Sequence, residues 1–462
     1  MSEKYQYVCP HCLKKFDYYN FWFQCPKFSE KSQKIHTNTG TDGVFAKITT
    51  TNRRGEDSKY CATVRRKMGY PSQSDYGRDF IADDFQNGYF KYQGRTRGKK
   101  VPSETRCYYC KNKTHTHVCP SCHKEINIDK NDKQFIINLA GPKSSGKSDF
   151  LGSVLYMIDR RLSRITDEWT VEFDSHASEY LSNFESRIEN KKGYGTAEGD
   201  KHDPAIVTFK KTEGKITKKY TFIFYDIAGE LLTNDMSAAE RVRKAKKFSR
   251  PDYIIYFSDP TRMSGPQNDV RNSKVNISQD NIDFLTKNKH LSSRKDTEQN
   301  VRYIDKIKEF LGDIYFYNEE KSREEAYGKT DTPISVCLTM LDVLKDAYTD
   351  MEIGLRHYFR PSTYQNDYNI HRFLNHELPG KNKNLINQFI GWEESNFVNY
   401  INNNFGKNQF FGISALGTND ENLGIDMEYD FKPINVLDPF VWFIDEVAPE
   451  LLENDENFKR LD

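Results

Sequence analysis

The stretch Gly141-Pro-Lys-Ser-Ser-Gly146-Lys147-Ser148 has the residue types and spacing needed to hold a polyphosphate. Two glycines let the backbone turn tightly and aim its N–H groups at phosphate oxygens, and a helix opening behind them adds the positive end of its dipole. Lys147 reaches the β- and γ-phosphates as a point charge, and the Ser148 hydroxyl offers a ligand to Mg²⁺. Ser144, Ser145 and Asp149 complete the nucleotide-contacting positions. A glycine-lysine turn can arise by chance. This one follows an apolar run and opens an amphipathic one, the strand–loop–helix setting that the chemistry requires.

A second pattern is Tyr220-Thr-Phe-Ile-Phe-Tyr-Asp226-Ile-Ala-Gly229-Glu230. An apolar strand ending in Asp, with Gly three residues later, suits a γ-phosphate sensor: Asp226 holds Mg²⁺ through water and the Gly229 N–H bonds the phosphate. A strand ending in an acidic turn is the plain reading, and the upstream phosphate loop favours the functional one.

Eight of the nine cysteines precede residue 123: Cys9, Cys12, Cys25, Cys61, Cys107, Cys110, Cys119 and Cys122. Three C-x-x-C pairs and two further thiols suffice for two tetrahedral zinc sites. The compact set Cys107, Cys110, Cys119 and Cys122 can close one site alone, leaving the rest for another ion; interleaved pairing is equally open. Cys337 reads as a buried core thiol.

These residues need a scaffold. Apolar runs at Gln134–Ala140, Ala205–Lys210, Tyr220–Asp226, Tyr253–Ser258, Pro333–Leu338 and Gln409–Ser414 predict a six-stranded, mostly parallel sheet between helices. Phe150, Leu151, Val154, Leu155, Ile158, Leu162 and Ile165 recur at helical spacing from near Gly146. Connections of about seventy residues after the fourth and fifth strands must carry helices of their own. The charged pieces Ser292–Gln299 and Asn318–Thr330 read as exposed surface. The expected layout is a cysteine-rich zinc-ribbon region over 1–130, with a polar insertion at 27–106. An α/β nucleotide-binding domain over 131–462 follows, with insertions at about 262–330 and 345–405.

Composition excludes several classes. With 36% hydrophobic and 29% charged residues, 28 Tyr and 31 Phe, the chain is globular. A net charge of +1 points neither to nucleic acid nor to a membrane surface as the main partner. The basic segment Lys91–Lys100, flanked by Phe90 and Tyr92, leaves nucleic acid as the less favoured partner. Met1-Ser-Glu-Lys-Tyr carries no leader pattern, and the apolar stretch Val436–Leu452 is broken by Asp438, Asp445, Glu446 and Glu450. A cytoplasmic protein is expected, and there paired cysteines hold metal more often than disulfides.

With these motifs in this order, the chain resembles a translation-factor-related, Ras-like P-loop GTPase. Its zinc-ribbon N-terminus, together with Phe257-Ser-Asp259-Pro260 and Ile434-Asn-Val-Leu-Asp438-Pro-Phe-Val-Trp, is similar to the bacterial double-GTPase families of conflict and phage-defence operons. The resemblance implies that Thr339 and Asp342 match the base-reading [NT]-K-x-D pattern, with Met340 in place of Lys. It implies that Ser414, Ala415 and Leu416 form the loop whose Ala415 N–H bonds guanine O6, and that Thr196 is the switch threonine on Mg²⁺. A helix start and a solvated loop threonine are the plain readings of Thr339–Asp342 and Thr196. Glu230 stands where a water-orienting Gln is common, so slow basal hydrolysis by a switch with protein partners is implied. The Met340 departure keeps ATP open as the nucleotide. A zinc-ribbon module for nucleic acid or protein, with a weakly active nucleotide domain, is the other alternative.

Overall fold

In a computed structural model the described residues are 6–17, 22–24, 89–91, 104–106, 113–120, 122, 124–126, 131–142, 145–162, 169–190, 204–214, 216–226, 250–260, 263, 265–266, 299–318, 322–342, 344, 358, 360–367, 369–417 and 433–452. The chain divides into two compact units, Met1–Asp132 and Lys133–Asp462.

The described strands of the first unit are short. β1 (Gln6–Val8) pairs antiparallel with β2 (Lys15–Asp17). β3 (Trp22–Gln24) lies between β4 (Tyr89–Lys91) and β7 (His117–Val118), and β5 (Thr105–Arg106) pairs with β6 (Lys113–Thr114). Tyr7, Val8, Leu13, Phe16, Phe23, Val118 and Ile126 are buried around them.

The second unit is built on one sheet of seven strands, in the order β14-β13-β12-β8-β11-β10-β9. These are β8 (Asp132–Ala140), β9 (Thr170–Phe173), β10 (Ala205–Glu213), β11 (Ile216–Asp226), β12 (Tyr253–Ser258), β13 (Ile334–Leu338) and β14 (Asn408–Gly412). The sheet thus has one strand more than the six expected. β9 pairs antiparallel with β10 at the edge. Its alternating Thr170-Val-Glu-Phe is half polar because one face of an edge strand meets water. β8, β12, β13 and β14 run parallel. All residues of β12 and β13 are buried, which explains their continuous apolar texture.

Helices cover both faces. α1 (Lys147–Met157) continues into a π turn at Ile158–Leu162. Its Phe150, Leu151, Val154, Leu155, Ile158 and Leu162 pack in one cluster with Phe222 and Phe257, and with Phe440 and Phe443 of α7 (Asp438–Val447). Ile165 lies outside the described residues. α2 (Ser175–Asn190) packs on α1. The other cluster joins Ile254, Tyr256, Ile334 and Val336 to α3 (Gln299–Asn318), α5 (Leu378–Gly391) and α6 (Ser395–Asn404). The long connections therefore carry helices, as their lengths require. The described part of Asn318–Thr330 is mostly exposed, as expected, with Ser322–Glu325 and Lys329 facing solvent. It holds α4 (Arg323–Tyr327), opened by a Ser322/Glu325 capping box, and buries Ala326 and Thr330. Of Ser292–Gln299 only Gln299 is described, at the start of α3.

Candidate nucleotide site and cysteine centre

Because β8, β12, β13 and β14 are parallel, the segments leaving them gather at one edge of the sheet. β8 is also where the order reverses, with β9 to β11 on one side and β12 to β14 on the other. A crevice at the carboxyl end of such a strand is where open α/β sheets take ligands. The loop after β8 is Gly141–Gly146.

Gly141 passes so close to β12 that a Cβ on it would lie 2.8 Å from the Phe257 carbonyl oxygen. Gly146 has φ 85° and forms the N-cap of α1 with no side-chain cap. The first-turn N–H groups of α1 are thereby left for an external acceptor. Lys147 is buried, and its Nζ donates to the carbonyls of Gly141 and Pro142 at 3.1 and 2.9 Å. The Ser145 Oγ is buried without a hydrogen-bond partner. An orphaned hydroxyl costs free energy in a core, and a ligand oxygen would relieve it. Ser148 is exposed and Asp149 half-buried on the first turn of α1.

At the same edge, beyond β13, Thr339 donates twice to the Ser258 carbonyl, through its N–H at 3.1 Å and its Oγ1 at 3.3 Å. Met340 is half-buried with φ 56°, a left-handed bend between Thr339 and the start of the next helical turn. Two residues on, the Asp342 carboxylate accepts from Ser414 Oγ at 2.6 Å. Ser414 Oγ in turn accepts from the Gly417 N–H at 2.9 Å, and the Ser414 backbone exchanges hydrogen bonds with Ile434. The structure thus brings Thr339, Asp342 and Ser414 together, with Ala415 and Leu416 half-buried beside them. Asp226 is the last residue of β11. Ser144, Thr196, Gly229 and Glu230 lie outside the described residues.

Sequence reasoning missed the polar residues behind this edge. Tyr256 OH and Ser258 Oγ both donate to Asn300 Oδ1, at 3.1 and 3.3 Å. Glu394, buried at the start of α6, has an Oε2 without a hydrogen-bond partner. Burial pushes its carboxyl up to about 7, against a hydrogen bond from Asn300. Asn300 and Glu394 are lone polar residues in helical stretches and carry no motif, so nothing in the sequence marked them.

In the first unit the Sγ atoms of Cys9, Cys12, Cys119 and Cys122 lie within 4.8 Å of one another. Cys9–Cys122 and Cys12–Cys119 are 3.6 and 3.7 Å apart. Sulfurs at the corners of a tetrahedron with zinc–sulfur arms of about 2.3 Å stand about 3.8 Å apart, so the set fits Zn²⁺. Each pair sits in a tight turn of the same kind: Cys9 N–H donates to Lys14 O and Cys119 N–H to Lys124 O, both at 3.0 Å. His11 Nε2 and the Glu125 carbonyl oxygen, 3.1 Å apart, link the two turns. Hydrogen bonding to Cys119 holds Cys12 at about 7 and Cys122 lower still. Cys9, bonded to Cys119, and Cys119, bonded to Cys12, are pushed up. A metal would draw all four to thiolates. The pairing is the interleaved one, first pair with last. Cys25, Cys61, Cys107 and Cys110 lie outside the described residues, as does most of Lys91–Lys100.

No family model and no curated protein matches the chain. Among solved structures it is similar to the S. cerevisiae Ski7 GTPase-like domain bound to GTP, at 13% identity and a TM-score of 0.27, over 68% of this chain and 50% of that one. The chain thus spans half the length of that structure. A likeness at that score says nothing about the chemistry here, which rests on the chain's own residues. Among the described residues no helix is long and apolar enough to cross a membrane.

Proposed function

We propose that this chain is a Mg²⁺-dependent GTP-binding and hydrolysing switch of the Ras-like class, held at its N-terminus by thiolate-bound zinc. One observation carries the reading: the Gly141–Lys147 loop and the hydrogen-bonded pair of Asp342 and Ser414 lie at the same carboxyl edge of the parallel strands. One can grip phosphates while the other accepts from the N–H donors of a base. Lys147 would exchange two neutral carbonyls for charged phosphate oxygens, a stronger acceptor set. Ser148, Asp226 and Thr196 would hold Mg²⁺, which neutralises charge on the β- and γ-oxygens. Gly141, Ser144, Ser145, Gly146 and Asp149 would frame the phosphates, and Gly229 would meet the terminal one. The Asp342 carboxylate, already oriented by Ser414, suits the two donors of guanine and would meet an acceptor in adenine; this favours GTP over ATP.

Glu230 as water-positioning group gives slow basal turnover, raised by a protein partner. Cys9, Cys12, Cys119 and Cys122 would bind one zinc ion; Cys25, Cys61, Cys107 and Cys110 supply thiols for a second. A cytoplasmic setting with partners from a bacterial conflict or defence system rests on the sequence resemblance alone.

The decisive experiment is competition of GTP and ATP analogues for the full chain, with and without Mg²⁺, beside Lys147→Ala. GTP should bind more tightly than ATP, and the variant should lose both by a hundredfold or more, about 3 kcal/mol. Equal affinity of the variant and the parent for both nucleotides would remove the assignment.

A further inference from the structure

The β10–β11 ladder runs on past the end of β9. β9 lines β10 only from Val207 to Lys210, whereas the β10–β11 ladder continues through Lys211↔Lys218 and Thr212↔Thr217 to Glu213↔Ile216. Its end, Lys210-Lys211-Thr212-Glu213-Gly214-Lys215-Ile216-Thr217-Lys218-Lys219, carries five lysines against one glutamate. The whole chain nearly cancels, with 68 basic and 67 acidic side chains. Register sets lysine directly against lysine twice, at Lys210↔Lys219 and Lys211↔Lys218. Like charges directly opposite repel, and this register concentrates positive charge at the hairpin's end. Glu172 takes the Lys210 ammonium, and the Lys211 ammonium stands 5.9 Å from the Trp169 ring centre. Beside Lys210 and Lys219, hydroxyl pairs Thr208/Thr221 and Thr212/Thr217 sit 3.2 and 3.3 Å apart.

We propose that this ribbon end docks on the sugar-phosphate backbone of double-stranded nucleic acid. The lysine ammonium groups and the Thr212 and Thr217 hydroxyls are donors that phosphate oxygens accept, whereas Thr221 is buried. A two-stranded antiparallel ribbon is narrow enough to enter the major groove. The large aromatics at its base, Trp169 and Tyr220, are buried and offer no stacking platform to single strands. The exposed large apolar side chains among the described residues, Phe316, Tyr317 and Ile390, lie on α3 and α5, and none belongs to the described side chains of the basic end, which favours phosphate over a lipid surface. The inference does not rest on the nucleotide site.

Fluorescence anisotropy of a labelled duplex with the full chain, measured across a salt series, tests it. Lys211→Glu with Lys218→Glu should weaken binding at least about tenfold and flatten the log–log salt slope by about two. The matching Gln pair keeps the ladder's backbone bonds and should give a smaller loss. It also supplies the reading if the Glu pair fails to fold. GTP-analogue affinity should stay at the parent value in both. Absence of duplex binding at low salt, or unchanged duplex affinity in the variants, overturns the proposal. So does tighter binding of a single strand, of poly-glutamate or of anionic phosphatidylserine vesicles than of the duplex.

Discussion

Asp342 is held in orientation because Ser414 Oγ donates to one of its oxygens at 2.6 Å, which suits the base-reading role proposed for it. Asp342→Asn replaces an acceptor by a donor facing guanine, and affinity for GTP should fall tenfold to a hundredfold, about 1–3 kcal/mol, while xanthosine triphosphate gains. Parallel titrations of both nucleotides check this, and equal losses for the two would point to a structural role for the pair. Glu394 makes a different prediction. Its carboxyl is held at about 7 in the fold against an ordinary 4.5, because it is buried. Between those values the folded chain binds a proton that the unfolded chain lacks. Stability therefore falls as pH rises through that window and stays low above it. Glu394→Gln should remove that slope and stabilise the protein at pH 8 by roughly 1–3 kcal/mol. Asp438, pushed up to about 6 by burial, leaves a slope of the same sign at lower pH in the variant. Denaturant unfolding at pH 5 and pH 8 reads both; a variant with the parent's pH profile would count against it. At this scale the motifs stand out in the sequence because the chemistry they suit demands a fixed spacing. Ser258, Asn300 and Glu394 do not, since only tertiary contact gives them a role.

Strands β8, β10, β11, β12, β13 and β14 could be read from the sequence because burial on both faces, or on one face of a long hairpin, leaves continuous apolar runs. β9 could not, being four residues at an edge. The cysteine turns were legible as turns but not as partners. Three C-x-x-C pairs look alike in sequence, and pairing depends on which backbone turns face each other. Here the matched Cys9–Lys14 and Cys119–Lys124 hydrogen bonds, with His11 near the Glu125 carbonyl, select first with last. It follows that Cys119→Ser with Cys122→Ser should cost one zinc ion per chain and raise the proteolytic sensitivity of β1 and β2, distant in sequence. The competing compact set predicts that Cys9→Ser with Cys12→Ser leaves that same ion in place. Zinc counting on both variants separates the two: loss of one ion from each pair is expected, and retention in the Cys9/Cys12 variant would refute the interleaved centre.

The two compact units, Met1–Asp132 and Lys133–Asp462, have different sources of stability. The second buries two aromatic-rich clusters on either face of a seven-stranded sheet. In the first, the described strands are two or three residues long, and the four-cysteine cluster brings two of its turns together. A metal bound there would contribute folding free energy to that unit. Ligand linkage should therefore act on each unit through its own ligand. A GTP analogue at about a hundredfold over its Kd should stabilise the sheet unit by about 2.7 kcal/mol, and a strong zinc chelator should leave that gain intact. The chelator should instead abolish a separate, earlier transition assigned to the cysteine unit. Differential scanning calorimetry of the full chain, with each ligand alone and both together, makes the comparison, with limited proteolysis at each temperature assigning the transitions. One transition that moves with nucleotide and chelator alike would mean that the units unfold together, and that zinc supports the nucleotide fold as well as its own.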